Sequence, residues 1–501
     1  MKELFLFVRP PRPLWPFNGP ASAVWPPLAF ASLAAALREQ HRGLDVAILD
    51  APALHMGWRS LEAELNRLRP AYVAIGEEAV SCREGLRLAR IAKEIQAQVV
   101  AGGCFFGHVP EEALGTGLVD FVVHGEGEIT LVELVEALRS GAERDLSRVQ
   151  GISYCAGEEI VRTPPRPLIP DLDRLPMPAY DLLPVSCYGR GSRNHPDLAA
   201  IELGRGCFGS CNFCVLWRQM GRSEGAAILP HLRTKSAERL MEEIRILTGK
   251  YRRRYLAWVD PCFNADPRIH NRLAELLLRE NLQIGQSAWV RADTVLRDAA
   301  SGALGRCVRA GLNEVYIGIE RDDPAMLDRL NKTVASDECR RALQILARDY
   351  PEVYTVGSFI YGMPGDTPER VKELRRFASG LDLDYAFFIP LTPLPGTPYW
   401  RKEMWDPTGE KFRRFGFLPG PPIHGNVNPL ERALLSSYLF GWDAARVRGW
   451  LRGVFHPEPR RRRLTRRLLL RGCAFEARLL FASLAGGNRE GGMRIPRWYE
   501  S

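Results

Sequence analysis

Long apolar runs are the first thing this sequence lacks. No stretch approaches the roughly 18 residues that a membrane-spanning helix needs. The N-terminal "KELFLFVRP" is short, has no small-residue cleavage site and reads as a buried strand, so no signal peptide is expected. An evenly paired cysteine framework is also missing: the 11 cysteines are mostly scattered singly, which excludes a disulfide-stapled secreted scaffold and suits a reducing, cytoplasmic location. A hydrophobic fraction of 46% with 25% charged residues describes a soluble globular protein, and 501 residues suggest two or three domains. Against that background one cluster stands out. "GCFGSCNFC" (Gly206 to Cys214) holds three cysteines spaced C-x3-C-x2-C, and no fourth lies nearby.

Net charge is also nearly absent from most of the chain. The net charge is +9, yet residues 401–501 carry 20 Lys/Arg against 9 Asp/Glu, a surplus of +11 that leaves the first 400 residues at −2. The excess concentrates in "PRRRRLTRRLLLRG" (Pro459 to Gly472). Such a run reads first as a solvated helix face or tail, and second as a contact surface for an anionic substrate, nucleic acid or membrane head groups.

From residue 1 to about 145, short β-rich runs alternate with amphipathic stretches: "LFLFV", "FASLAAALREQ", "DVAILD", "LEAELNRLR", "YVAIG", "GLRLARIAKEI", "VVAGG" and "DFVVHGEGE" running into "LVELVEALRSG". That rhythm predicts an α/β fold with a doubly wound parallel sheet. Ligands of such sheets sit beyond the carboxyl ends of the strands, where the loops here are rich in glycine and proline. Residues 146–195, with seven prolines and little periodicity, read as a linker.

The order "WPPLAFASLAAAL … LD … AIG … VAGGCFFGHVPEE … VDFVVHGEGEITLVELVEAL" resembles the Rossmann-like (flavodoxin-like) cobalamin-binding domain of B12-dependent radical S-adenosylmethionine (SAM) enzymes. The resemblance implies that four loops face a corrin: Trp25, Pro26 and Pro27; Gly76, Glu77, Glu78 and Ser81; Gly102, Gly103, Phe105 and His108; and Gly125, Glu126, Gly127 and Glu128. The D-x-H-x-x-G signature that gives cobalt a histidine in other B12 proteins is missing, since "DAPALHMG" has the wrong spacing. Glu77 and Glu78 stand where the family carries small Ser/Thr residues. The glycines alone would equally suit a flavodoxin-like domain kept only for folding.

The strand "LAAIELGRG" leads into the three cysteines. A cubane takes one thiolate per iron, so Cys207, Cys211 and Cys214 would hold three corners and leave the fourth free for substrate or cofactor. A zinc site completed by His231 is the alternative, although structural zinc sites usually pair C-x2-C with a second local pair of ligands.

C-x3-C-x2-C behind a first strand, with the aromatic Phe213 before the last cysteine, resembles the radical SAM signature, and the likeness extends over residues 196–400. Strand-then-polar segments follow in order: "YLAWVDPCFNADP" with Asp260 and Asn264, "SAWVRAD" with Arg291 and Asp293, "EVYIGIERDDPAMLDRLNK" with Gly318 and Glu320, and "GSFIYGMPGDTPE" with Gly362 and Gly365. The resemblance implies a partial (β/α)6 barrel in which these residues surround SAM. Taken singly, "GMPGDTPE" is also a plain turn with a helix cap, and Arg291–Asp293 a plain ion pair.

Together the two resemblances imply a cobalamin-dependent radical SAM C-methyltransferase with a 4Fe–4S cluster, SAM and cobalamin as cofactors. In such enzymes one SAM methylates the corrin and a second supplies the 5′-deoxyadenosyl radical. An anaerobic oxidative cyclase of the Mg-protoporphyrin monomethyl ester type is the second expectation, and a non-catalytic cobalamin or cluster sensor the third. The implied partners are a small-molecule, peptide, lipid or tetrapyrrole substrate and an external electron donor of flavodoxin or ferredoxin type, with no nucleic acid. Residues 401–501 predict amphipathic helices that close the barrel mouth, with peripheral membrane contact as a further reading and "GGNREGGMRIPRWYES" as a tail.

Overall fold

A computed structural model describes residues 3–12, 25–76, 81–140, 145–190, 195–225, 227–406, 429–441 and 444–466, and positions 469, 470, 474, 499 and 501. Two sheets organise it. The first contains β1 (Leu4–Arg9), β2 (Asp45–Asp50), β3 (Tyr72–Ile75), β4 (Gln98–Ala101), β5 (Phe121–Val123), β6 (Ile152–Ala156) and β7 (Glu159–Arg162), in the order β2-β1-β3-β4-β5-β6-β7. The first five are parallel, as their near-continuous apolar runs require. β6 and β7 form an antiparallel hairpin on the edge, built from part of the proline-rich segment. The chain leaves β1 for β2 on one side and returns to β3 on the other. This flavodoxin-like reversal opens a crevice at the carboxyl ends of β1 and β3.

The rest of the connector crosses in single 3-10 turns at Leu172–Arg174, Tyr180–Leu182 and Val185–Cys187. Tyr180 and Tyr188 are buried in an apolar core that runs without a break from Phe5 and Phe7 to Leu198 and Trp258.

The chain then enters β8 (Leu198–Ile201) and a two-stranded antiparallel ribbon of β9 (Gly204–Cys207) and β12 (His231–Thr234), with the small hairpin β10 (Arg222–Glu224) and β11 (Ala227–Leu229) between them. The second sheet takes β8, β13 (Tyr255–Trp258), β14 (Gly285–Val290), β15 (Leu312–Glu320), β16 (Tyr354–Tyr361) and β17 (Tyr385–Pro390), all parallel and in chain order. Helices connect each of these six strands to the next, as parallel pairing requires, so the sheet is built from successive βα units. Helix starts are written in the sequence. Asp266, Asp323 and Thr367 each accept a backbone N–H of the first turn and are followed by Pro267, Pro324 and Pro368 at the first helical position.

The helices Pro429–Phe440 and Ala444–Val454 lie beyond the barrel. The helical turn after Pro459 reaches the amino-terminal ends of the strands, opposite the mouth it was expected to close. Arg460 donates to the Asn313 carbonyl and to Glu314 at 2.8 Å each, and Arg461 pairs with Asp384. The reason is electrostatic: buried carboxylates at the floor of the barrel need cations, and the arginine run supplies them. Nor is the end of the chain a free tail. Tyr499 is buried edge-on against Trp58, and its hydroxyl donates to Glu84 at 3.0 Å. No helix among the described residues is long and apolar enough to cross a membrane.

Candidate active site

The cysteine loop is fixed before it begins. Asp260, at the end of β13, accepts the backbone N–H groups of Leu203 (3.1 Å) and Gly204 (2.6 Å) and so turns β8 into β9. Burial pushes the Asp260 carboxyl up to about 7, against the two amides that favour its ionised form. Gly206 has φ +89°, and a Cβ there would stand 1.9 Å from the His231 carbonyl oxygen, so the ribbon tolerates only glycine.

Beyond the ribbon the loop is held from the β15 side. The Asn212 amide donates to the Leu330 carbonyl at 2.8 Å, Asn331 donates to the Ser210 carbonyl and hydroxyl at 2.9 Å, and Trp217 donates to the Cys211 carbonyl at 2.9 Å. Cys207 Sγ accepts the Gly209 N–H at 3.3 Å. Burial raises the Cys211 thiol and takes Cys214 up to about 11.

Among the described residues no three His, Cys, Asp or Glu side chains converge as ligands of one metal ion do. A zinc site of the three cysteines and His231 requires that convergence, and His231 sits in the ribbon opposite Cys207. Cubane ligands bind separate irons and need no common centre, so three partly buried thiols on one braced loop fit a cluster.

Strand ends surround this loop. Arg291 follows β14; its guanidinium donates to Asp293 and Thr333, stacks 4.6 Å above Phe208, and turns Nη1 toward Gly209. Glu320 ends β15 with φ +66°, and its carboxylate takes Lys332 at 3.2 Å and the Ser358 hydroxyl at 3.3 Å. Lys332 is raised: burial works against its charge, but Glu320 and Cys211 outweigh it.

The structure thus brings Arg291, Asp293 and Glu320 together beside the cysteines. It adds Lys332, the last residue of the segment "EVYIGIERDDPAMLDRLNK", and Thr333 just beyond it, which no sequence signal singled out. Phe213 packs with Leu330, Ile360 and Met363 on the other side.

Other expected residues have different neighbours. Asn264 is buried between Asp298, to which it donates at 2.7 Å, and Thr294. The space above Gly318 is filled by Glu320 and Lys332. "GMPGDTPE" is a turn and cap: Asp366 accepts the Gly362 and Met363 amides and pairs with the fully buried Arg321, while Gly365 faces open space.

In the first domain, Gly76, Gly102 and Gly103 meet at the carboxyl ends of β3 and β4. A Cβ on Gly103 (φ +81°) would lie 3.5 Å from the Gly76 carbonyl carbon. Ser81 accepts from Arg12 at 3.0 Å, and the Trp25 carbonyl accepts from Arg9 at 2.6 Å. Pro26 and Pro27 lead into the helix Leu28–Gln40, and Gly125 and Gly127 flank the start of Gly127–Arg139. Glu77 and Glu78 lie outside the described residues.

Glu126 and Glu128 do not stand apart as a ligand loop. Glu126 takes Arg205 at 2.9 Å, Arg233 at 2.7 Å and the Ile169 amide at 2.7 Å, and Glu128 takes Arg205 at 2.6 Å. All four side chains are buried. They clamp the cysteine ribbon to the first domain. Phe105 is likewise buried, against Trp400 and Trp405.

His108 differs again. Its Nε2 is buried without a hydrogen-bond partner, as are Arg218 Nε and Gln219 Oε1 on the helix behind the cysteines. Burial first, then His124, Arg162 and Arg218, hold the His108 imidazole neutral, down to about 4. Orphaned polar atoms on both sides of the domain boundary fit a group with a polar rim, as a corrin with its amides has.

A flavodoxin-like crevice braced to a three-thiolate loop at the mouth of an open parallel barrel defines a radical SAM enzyme with a corrin-binding domain. Residues 201–378 match the radical SAM superfamily and residues 16–135 the B12 binding domain. The chain is 32% identical over 378 residues to the uncharacterized methyltransferase PH0819 of Pyrococcus horikoshii, covering 75% of this chain and 78% of that protein. It is 27% identical over 405 residues to the anaerobic magnesium-protoporphyrin IX monomethyl ester cyclase of Rubrivivax gelatinosus, covering 78% and 68%. The fold is similar to that of the radical S-adenosylmethionine methyltransferase TsrM of Kitasatospora setae, with TM-score 0.62, 19% identity and coverage of 80% and 75%. The chain belongs to the B12-binding radical SAM family, whose cofactors are a 4Fe–4S cluster, SAM and cobalamin.

Proposed function

We propose that this protein is a cobalamin-dependent radical SAM C-methyltransferase. The observation that carries the reading is a loop of three thiols, set among Arg291, Asp293, Glu320 and Lys332 and braced directly to the corrin domain. When bound, cluster and SAM supply a 5′-deoxyadenosyl radical and cobalamin supplies the methyl group.

The residues have distinct roles in this reading. Cys207, Cys211 and Cys214 hold the cluster. Arg291, kept in place by Asp293 and Thr333, offers Nη1 to a carboxylate beside that loop. Glu320 and Lys332 form the opposite polar wall. Gly76, Gly102 and Gly103 let the ends of β3 and β4 pack closely beneath the crevice, and His108, Arg218 and Gln219 supply polar contacts at its rim. Asp260, Glu126 and Glu128 position the ribbon that carries the loop, and Asn264 braces the helix that starts behind Arg291. An external low-potential protein donates electrons, and the protein acts in the cytoplasm.

Anaerobic reconstitution with iron, sulfide, hydroxocobalamin and SAM tests this. 5′-Deoxyadenosine and S-adenosylhomocysteine forming together with substrate support methylation. The similarity to the cyclase supports a second reading, oxidative cyclisation. It requires deoxyadenosine alone and a product lighter by hydrogen or heavier by oxygen, not by one methylene.

A further inference from the structure

The inward face of the barrel carries a wall that the residues at the mouth do not account for. Along β14 to β17 alternate residues fall into two sets. Ala288, Val290, Val315, Ile317 and Phe359 join the core beneath the helices. Trp289, Tyr316, Tyr354, Val356 and Phe387 form a separate cluster, and Leu464 is its one described member from outside these strands. The two-residue period of a strand assigns the second set to the lumen.

Trp289 and Tyr316 sit on strands paired on both sides, yet both remain partly exposed. The face they share is the inward one. Their rings are 5.1 Å apart at 30°, and Phe387 meets Trp289 edge-on at 6.2 Å.

The lumen is also electrically satisfied. Glu314 at its floor is held by His195, Arg460 and the Tyr316 hydroxyl at 2.6–2.9 Å. At its mouth Arg291 pairs with Asp293 and Glu320 with Lys332. Leu464 and Arg460 block the floor, so a ligand enters beside the cysteine loop.

We infer that the substrate is a neutral, largely apolar molecule with a planar ring, lying against Trp289 and Tyr316 with one carbon toward the cysteine loop. This rests on the methyltransferase reading and names its substrate class. A charged group carried to this wall would lose its water, and the cations of the floor, His195 and Arg460, already hold Glu314. An apolar ring instead gains burial and aromatic contact.

The test uses the full-length reconstituted protein and two fluorescent probes of similar shape, neutral N-phenyl-1-naphthylamine and anionic 8-anilinonaphthalene-1-sulfonate. The neutral probe is expected to bind once per chain and quench tryptophan emission, and the sulfonate to bind at least about tenfold more weakly. Val356→Trp, which fills the lumen, and Trp289→Ala, which removes its wall, are each expected to weaken the neutral probe by about tenfold or more. Leu451→Glu, at an exposed position of Ala444–Val454, should leave binding unchanged. Sulfonate binding as tight as that of the neutral probe overturns the inference, and so does indifference to both lumen substitutions. Should Val356→Trp not fold, Trp289→Ala and the comparison of the two probes decide. 5′-Deoxyadenosine formation by the unaltered protein is measured alongside: its loss would sink the radical reading and leave the lumen result standing by itself.

Discussion

Replacing Glu126 by glutamine should loosen the cysteine ribbon while leaving the barrel intact. Glu126 is 3% exposed and holds two arginines of the ribbon, Arg205 and Arg233, which are 8% and 6% exposed. Burial raises its carboxyl, but the two guanidinium groups outweigh this and hold it below the usual range. Without the charge, Arg205 retains Glu128 and Glu202, whereas Arg233 is left with the Ile169 carbonyl and already has two unpartnered nitrogens. Stranding a buried arginine costs about 3 kcal/mol or more. If that cost is felt in local opening, amide exchange at Gly204–Cys207 and His231–Thr234 should accelerate by roughly a hundredfold. Hydrogen exchange read by mass spectrometry measures this directly, and iron retained per chain should fall with it because β9 runs straight into Cys207. Adding Arg233→Met removes the stranded charge and should recover much of the protection. The reasoning fails if Glu126→Gln speeds exchange in the ribbon by less than about threefold, or if exchange rises only within the first domain.

Three further outcomes follow from the geometry. Alanine at Cys207, Cys211 or Cys214 should each abolish iron and sulfide retention and deoxyadenosine formation while shifting the melting temperature little, since all three are only partly buried. Glu314 is held down at about 2 because His195 and Arg460 overcome its burial; its contribution is therefore complete above its ordinary value of 4.5 and disappears as pH falls through about 2. Arg460→Met should move that loss to higher pH, seen as proteolytic release of the C-terminal helices near pH 4, and an unchanged acid profile would contradict the pairing. Tyr499→Phe removes the hydroxyl that Glu84 accepts and should lower stability by about 1 kcal/mol by thermal melting.

How much was legible depended on whether an element's role is local. Strands buried on both faces announce themselves as apolar runs, and caps such as Asp266-Pro267 act within one turn, so both sheets and most helices could be read directly. The cysteine spacing is local in the same sense. "LAAIELGRG" read as one strand, and the structure breaks it into β8 and β9 because Asp260 turns the chain and glycines let β12 approach. Nor could the sequence show what a loop faces. Glu126, Glu128 and Phe105 lie in the loops expected to meet a corrin, and the structure gives them protein partners across the domain boundary. Gly318 suggested room for a ligand, and the ion pair that fills the room comes from two other positions.

The basic surplus of the last hundred residues was the most misleading signal, and its resolution ties the two ends of the barrel together. Arg460 and Arg461 do not await an anionic partner, because each answers a carboxylate buried at the strands' amino-terminal ends, Glu314 and Asp384. Those acids would strain the floor if unpaired, and a helix carrying their cations seals it instead. A sealed floor leaves the mouth as the route for a ligand. The mouth is where the cysteine loop is pinned, from one side by Asn331 and from the other by the glutamates of the crevice domain. In the proposed function a substrate entering there meets the cysteine loop and the crevice domain before it reaches the aromatic wall. That order suits a reaction in which a hydrogen is removed on one side and a methyl group arrives from the other.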